Sequence, residues 1–371
     1  MKLPCFGCED WLNVYENDAT LDIAQSTISS FTLEELIAIG GKTNEEFFDE
    51  LLKKKMNYGW IEGSPEFKEE VSKIYKNTKP EQILQTNGCT GANLLAVISL
   101  IERGDHVISM YPIYQQLCDL PEGLGAKVEK WYIKEENNWL PDLNELRSMI
   151  RSNTKMICIN NAHNPTGAVM DEAFLTELVE IARSCGAYIL SDEVYKPMED
   201  TYVPAIVDIY EKGISTNSVS KTYSVPGVRV GWVASSLETT EIFRSYRDYT
   251  MICCGVFDDY VATYALKNKD KILKRNKAII DHNLEILREW VEKEPRVSLI
   301  FPKHVSVCFV KLDVPMEIEE FCKSLLKDTG VLLIPGNRFD VDKHARLGYC
   351  AKTETLKNGL AALSKYLRQF D

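Results

Sequence analysis

Seven apolar, β-branched runs punctuate the middle of the chain: QILQTNG (82–88), DHVISM (105–110), KVEKWYI (127–133), MICINNA (156–162), AYILSDEVY (187–195), ISTNSVS (214–220) and VRVGWVAS (228–235). Each has the length of a strand, and most are separated by stretches in which apolar residues recur at helical spacing. Leu94, Leu95, Ile98 and Ile101 mark one helix face, and Phe174, Leu175, Leu178, Ile181 and Ala182 another. Strands alternating with amphipathic helices predict an α/β fold, with a mostly parallel seven-stranded sheet covered by helices on both faces.

After about residue 270 the rhythm changes. A long charged helix (272–293) is followed by a strand VSVCFVKL, a helix near 316–328, short strands at VLLIPG and HARLGYC, and a closing helix with Leu356, Leu360, Leu363 and Leu367 at helical spacing. This is an α+β pattern. The first 45 or so residues also lack the strand–helix alternation, and 371 residues suffice for two domains. The expectation is a large domain over 46–270 and a smaller α+β domain built from 1–45 and 271–371.

A net charge of −12 argues against a nucleic-acid partner, because such binding rests on a basic surface. An anionic ligand must therefore be held in a local pocket. Neither a signal-peptide-like apolar stretch nor a run of membrane-spanning length is present, so no membrane association and a cytoplasmic location are expected. Eleven cysteines, several inside strand-like runs, read as free thiols. Cys5 and Cys8 form a single CxxC pair, and no second pair completes a metal site.

The densest chemistry lies in Ser218-Val219-Ser220-Lys221-Thr222-Tyr223-Ser224-Val225-Pro226-Gly227-Val228-Arg229-Val230-Gly231. A lysine that follows a buried strand is costly to desolvate without a partner or a chemical task. The serine hydroxyls and an arginine eight positions later suit an anion beside that amine. At Asn164-Pro165-Thr166-Gly167 a strand runs into a turn at the carboxyl end of the sheet, where open α/β sheets bind ligands. Asp192 ends an apolar strand and is followed by Tyr195; a carboxylate there calls for a cationic partner, with a helix N-cap as the structural alternative. Gly88-Cys89-Thr90-Gly91 opens a helix whose free N–H groups attract phosphate.

The pattern S-x-S-K-x-x-x-x-P-G-x-R-x-G, with N-P-T-G and D-E-x-Y before it in the chain, resembles the signature of the class I and II aminotransferases, fold-type I enzymes dependent on pyridoxal 5′-phosphate (PLP). The resemblance implies that Lys221 carries PLP as a Schiff base and acts as the base at the substrate's Cα. It further implies that Asp192 holds the pyridine nitrogen protonated, and that Asn164 and Tyr195 bond the 3′-oxygen. Cys89, Thr90, Ser218, Ser220 and Arg229 would hold the phosphate, and Tyr114 would stack on the ring. Arg346 would bind the α-carboxylate, with Asn164 beside it. Tyr58 would reach the phosphate of a neighbouring subunit, making the protein a homodimer. His163 has no essential role in the pattern.

The implied reaction moves an amino group between an L-amino acid and a 2-oxo acid. The same residues also serve β-eliminating C–S lyases and cyclases or synthases, because the fate of the substrate after Cα deprotonation depends on its side chain. Two departures keep those alternatives open. The family's early G-x-x-x-P strand is replaced by Ile23–Ser30, and the glycine after a small-domain proline is replaced at Pro302-Lys303-His304. The first of these resembles capreomycidine-synthase-like members. Asp258 and Asp259 are the acids on hand for a basic substrate side chain, against the ordinary reading of solvated carboxylates. A non-catalytic PLP-binding regulator would require loss of the lysine or a DNA-binding flank, and neither is seen.

Overall fold

The computed structural model describes residues 2–198 and 202–371. The seven predicted runs all form strands of one sheet, in the spatial order Ile83–Asn87, Val230–Ala234, Gly213–Ser218, Tyr188–Asp192, Thr154–Asn160, His106–Tyr111, Lys127–Tyr132. Every pairing is parallel except those of Val230–Ala234, which runs antiparallel to both neighbours. Because the parallel strands are covered on both faces, their residues are almost continuously buried, as in Thr154–Asn160 and Gly213–Ser218.

The helices follow from local chemistry. Glu172–Cys185 starts where the Asp171 side chain accepts from the Phe174 N–H and ends at Gly186, whose φ of 71° is left-handed. Leu175, Leu178, Ile181 and Ala182 form its buried stripe as the spacing predicts, while Phe174, expected on the same face, is half-buried at its edge. In Gly88–Leu100 the buried face is wider than expected. Ala92, Asn93, Leu95, Ala96, Val97 and Leu100 are buried while Leu94 and Ile98 are only half-buried, because the helix packs across several strands at once, Val230–Ala234, Gly213–Ser218 and Ile83–Asn87 among them.

Beyond the sheet, Lys269–Lys293 is one 25-residue helix. A four-stranded antiparallel sheet follows in the order Ile334–Pro335, His344–Leu347, Cys308–Leu312, Val297–Ser298. The run VLLIPG, read as one strand, is split: Val331–Leu332 pairs in parallel with Leu21–Asp22, and Ile334–Pro335 joins the antiparallel sheet. The Trp11 indole donates to the Leu333 carbonyl between the two pieces at 2.9 Å, so the strand breaks where the N-terminal helix docks. No helix among the described residues is long and apolar enough to cross a membrane.

Candidate active site

The carboxyl ends of Tyr188–Asp192, Thr154–Asn160 and Gly213–Ser218 open into a cavity of about 320 Å³. That volume is within the range of small-molecule sites. Every residue that the resemblance assigns to the cofactor or the α-carboxylate lines it except Tyr58. Tyr58 lies outside it and is 82% exposed.

Lys221 is half-buried at the cavity rather than set on a surface turn. Burial, and then the Arg346 guanidinium, lower its amine below the ordinary lysine range. Its Nζ donates to Ser26 Oγ at 2.8 Å, and its carbonyl accepts from the Ile28 N–H. Both partners belong to the 23–30 segment, where the chain departs from the family's usual strand. That same segment supplies the Ala24 carbonyl to Arg346 Nη2 at 3.0 Å. The departure therefore forms a support shared by the two cationic groups.

Asp192 closes its strand and is buried. It caps no helix, since the next begins at Ile206; its Oδ1 instead takes the Val194 N–H. Burial raises the carboxyl above its ordinary range, and the Asn93 amide, donating to Oδ2 at 2.8 Å, works against that. Thr216 Oγ1 donates to Asn93 Oδ1 at 2.6 Å, which fixes the amide so that its NH₂ faces the carboxylate. Sequence reasoning missed Asn93. The available signal was a lone amide within an otherwise apolar helix, Ala92-Asn93-Leu94-Leu95.

At the start of Gly88–Leu100, Cys89 and Thr90 sit among the free N–H groups of the first turn. Gly88 is left-handed (φ 67°), and a Cβ on it would stand 2.9 Å from Arg229 Nη2, so the guanidinium lies directly over this turn. A Cβ on Gly231 would stand 2.3 Å from the Gly88 carbonyl carbon and 2.6 Å from the Cys89 nitrogen. Only glycine lets Val230–Ala234 approach the turn this closely. Ser218 and Ser220 complete the cup, the Ser220 N–H donating to Ser218 Oγ at 3.2 Å.

Arg346 is 3% exposed, not a solvated surface charge. Its Nη1 donates to Asn164 Oδ1 at 3.0 Å and lies 3.7 Å from Cys8 Sγ, while its Nε has no partner among the described residues. Tyr195 is buried on the same wall, with its hydroxyl pKa raised by burial. His163 bridges Thr166 Oγ1 and the Pro112 carbonyl, each at 2.8 Å, and burial pushes its pKa down to about 4. It is a neutral tie between loops. Asp259 accepts from the Ser64 N–H at 2.8 Å, and neither it nor Asp258 lines the cavity. The acid that lines it besides Asp192 is Glu9, on the N-terminal helix Gly7–Tyr15 together with Cys8 and Leu12. All eleven cysteines are unpaired, and Cys8 faces the site while Cys5 is exposed.

These residues fit PLP. A half-buried amine with no carboxylate bonded to it stands ready for the aldehyde, and a buried carboxylate lies on the same cavity for the ring nitrogen. A helix N-terminus with Arg229 above it suits the phosphate. The unpartnered Nε of Arg346 adds a buried donor that awaits an anion.

The family model for aminotransferase class I and II matches residues 32–363. A PLP-dependent aminotransferase from Streptococcus suis 89-1591 is 61% identical, covering 100% of this chain and 99% of its own, with a TM-score of 0.98. The aspartate aminotransferase of Pyrococcus horikoshii is 30% identical over 90% of this chain and 91% of its own length. The capreomycidine synthase of Streptomyces vinaceus is 27% identical over 98% and 94% respectively. With its sheet, cavity and matched sequence taken together, the chain belongs to the class I and II aminotransferase family and is a PLP-dependent aminotransferase of fold type I.

Proposed function

We propose that the enzyme moves the α-amino group of an L-amino acid to a 2-oxo acid, with Lys221 as cofactor carrier and base and Arg346 as receptor of the α-carboxylate. The observation that carries this reading is the shared cavity: the Lys221 amine, the Asp192 carboxylate and the Arg346 guanidinium all face one space. PLP, when bound, supplies the electron sink that stabilises negative charge at Cα. Arg346 holds the carboxylate with a two-pronged fork and so orients the amino acid, with Asn164 bracing the guanidinium. The Lys221 amine, lowered by burial, is the group that takes the Cα proton. Asp192, set by Asn93 and Val194, would hold a proton on the ring nitrogen. Tyr195 and Asn164 would donate to the ring oxygen, and the Gly88 turn with Arg229 would hold the phosphate.

In this reading the enzyme works as a homodimer in the cytoplasm, and the partner subunit's Tyr58 reaches the phosphate. Support comes from the exposed apolar side chains clustered in sequence with Tyr58, namely Leu52, Met56, Trp60 and Ile61. Such exposure is expected of a surface covered in an assembly. The large and small domains are drawn at 46–270 and at 1–45 with 271–371.

The test is to reduce the PLP-loaded enzyme with borohydride and map its peptides, then to follow its visible spectrum with single amino acids, with and without a 2-oxo acid. A pyridoxyl mass on Lys221 and reversal of the spectral change by the 2-oxo acid support the reading. Ammonia and a 2-oxo acid released without an acceptor would assign elimination instead, an altered amino acid formed with neither ammonia nor an acceptor would assign cyclisation, and an unlabelled Lys221 would overturn the carrier role.

A further inference from the structure

The N-terminal helix contributes a wall to the cavity that the transfer reaction itself does not use. Cys8 Sγ lies 3.7 Å from Arg346 Nη1, so this helix stands beside the receptor for the α-carboxylate. Glu9, the next residue, is half-buried and lines the same space. Its Oε1 accepts the Tyr114 hydroxyl at 3.3 Å, which steadies the carboxylate without neutralising it. The neighbouring Asp10 is paired with Arg338 at 3.1 Å, whereas no lysine or arginine pairs with Glu9 among the described residues. At Lys221, where burial and then Arg346 lower the amine, Glu9 acts in the opposite sense, so its charge is felt at the reacting end of the site.

The cations that this subunit's described residues bring to the cavity are Lys221, Arg229 and Arg346. Arg229 lies over the Gly88 turn, Arg346 takes the α-carboxylate and Lys221 reacts, so this subunit's lining offers a second substrate carboxylate no further cation. A dicarboxylic amino acid would bring its distal charge toward Glu9, a like charge in a partly desolvated space. A side chain ending in an amine or guanidinium would instead meet the Glu9 carboxylate, with Leu12 and Cys8 flanking its methylenes.

We infer that Glu9 selects the substrate side chain, and that the amino donor is an L-amino acid with a cationic side chain rather than a dicarboxylic one. The inference rests on the transferase reading of this site and names its substrate class.

The test uses the holoenzyme and compares kcat/KM for the first half-reaction with L-ornithine, L-lysine, L-arginine, L-norleucine, L-aspartate and L-glutamate. At least one basic amino acid is expected to exceed both dicarboxylic acids by about tenfold or more, the worth of one charge-assisted hydrogen bond. Glu9→Gln should lower kcat/KM for the basic donor by about tenfold, mainly through KM, and leave norleucine within about threefold. Glu9→Lys should turn the preference toward aspartate or glutamate. A dicarboxylic preference in the unchanged enzyme overturns the inference and leaves the transferase reading standing. An equal loss for basic and neutral donors in Glu9→Gln also overturns it, since a purely structural role would act on both. Silence toward every amino acid overturns both readings together.

Discussion

Asn93→Ala deletes the amide that links Thr216 to Asp192. Asn93 is fully buried, so no water replaces the 2.8 Å bond to Asp192 Oδ2 without rearrangement. A hydrogen bond to a charged group contributes about 1.5–3 kcal/mol, and each pKa unit corresponds to about 1.36 kcal/mol. The Asp192 carboxyl, already above its ordinary range because of burial, should therefore rise further. An acid with a raised pKa keeps its proton to higher pH. The pH below which the apoprotein loses its grip on the PLP ring nitrogen should accordingly move upward, with about a 10- to 100-fold loss of affinity on the acid side, the worth of one hydrogen bond to a charged group. Titrating apoprotein with PLP across roughly pH 5 to 8 reads this directly. Asn93→Asp should be worse, since it sets two carboxylates face to face. A variant that is folded with an unchanged melting temperature, and whose PLP affinity follows the pH dependence of the parent, would refute the argument.

Other consequences arise from individual contacts. Gly231→Ala places a methyl carbon against the backbone of Gly88 and Cys89, so PLP affinity and melting temperature should both fall, by about 1–3 kcal/mol; unchanged values would show that the turn yields freely. Arg346→Gln should raise the amino-acid KM by an amount equivalent to roughly 2–4 kcal/mol, as for other truncated buried charge contacts, and an unchanged KM would remove it from the site. His163 has its pKa pushed from 6.5 down to about 4 by burial, so the unfolded chain takes up its proton first as pH falls. Its contribution is complete above about pH 6.5 and is lost toward pH 4, up to about 3 kcal/mol; urea melts of His163→Gln should show a flatter acid slope than the parent.

Periodicity and local motif carry much of this protein. The central strands of the main sheet were legible because a strand covered on both faces must be apolar along most of its length, whatever its neighbours, while the edge strand Lys127–Tyr132 showed only in its β-branched and aromatic residues. Lys221, Asp192, Asn164 and Arg229 were legible because their chemistry is tied to short patterns, a turn, a strand end or a glycine, that each segment carries within itself. The order of the strands and the reversal of Val230–Ala234 were not, since both are set by which elements pair across long separations. The breaking of VLLIPG into two sheets likewise depends on the docked helix that carries Trp11. Asp258 and Asp259 looked available to a substrate, yet their helix directs them elsewhere, and the acid at the cavity besides Asp192 is Glu9, more than 200 residues away from Lys221. Asn93 and Ser26 belong to the same class: each acts on a partner that only folding brings near. What the sequence by itself determined was which groups exist and which local conformations they prefer. Which charges face one another in the cavity was decided by tertiary packing, because the energy of a buried charge depends on neighbours that chain order does not specify.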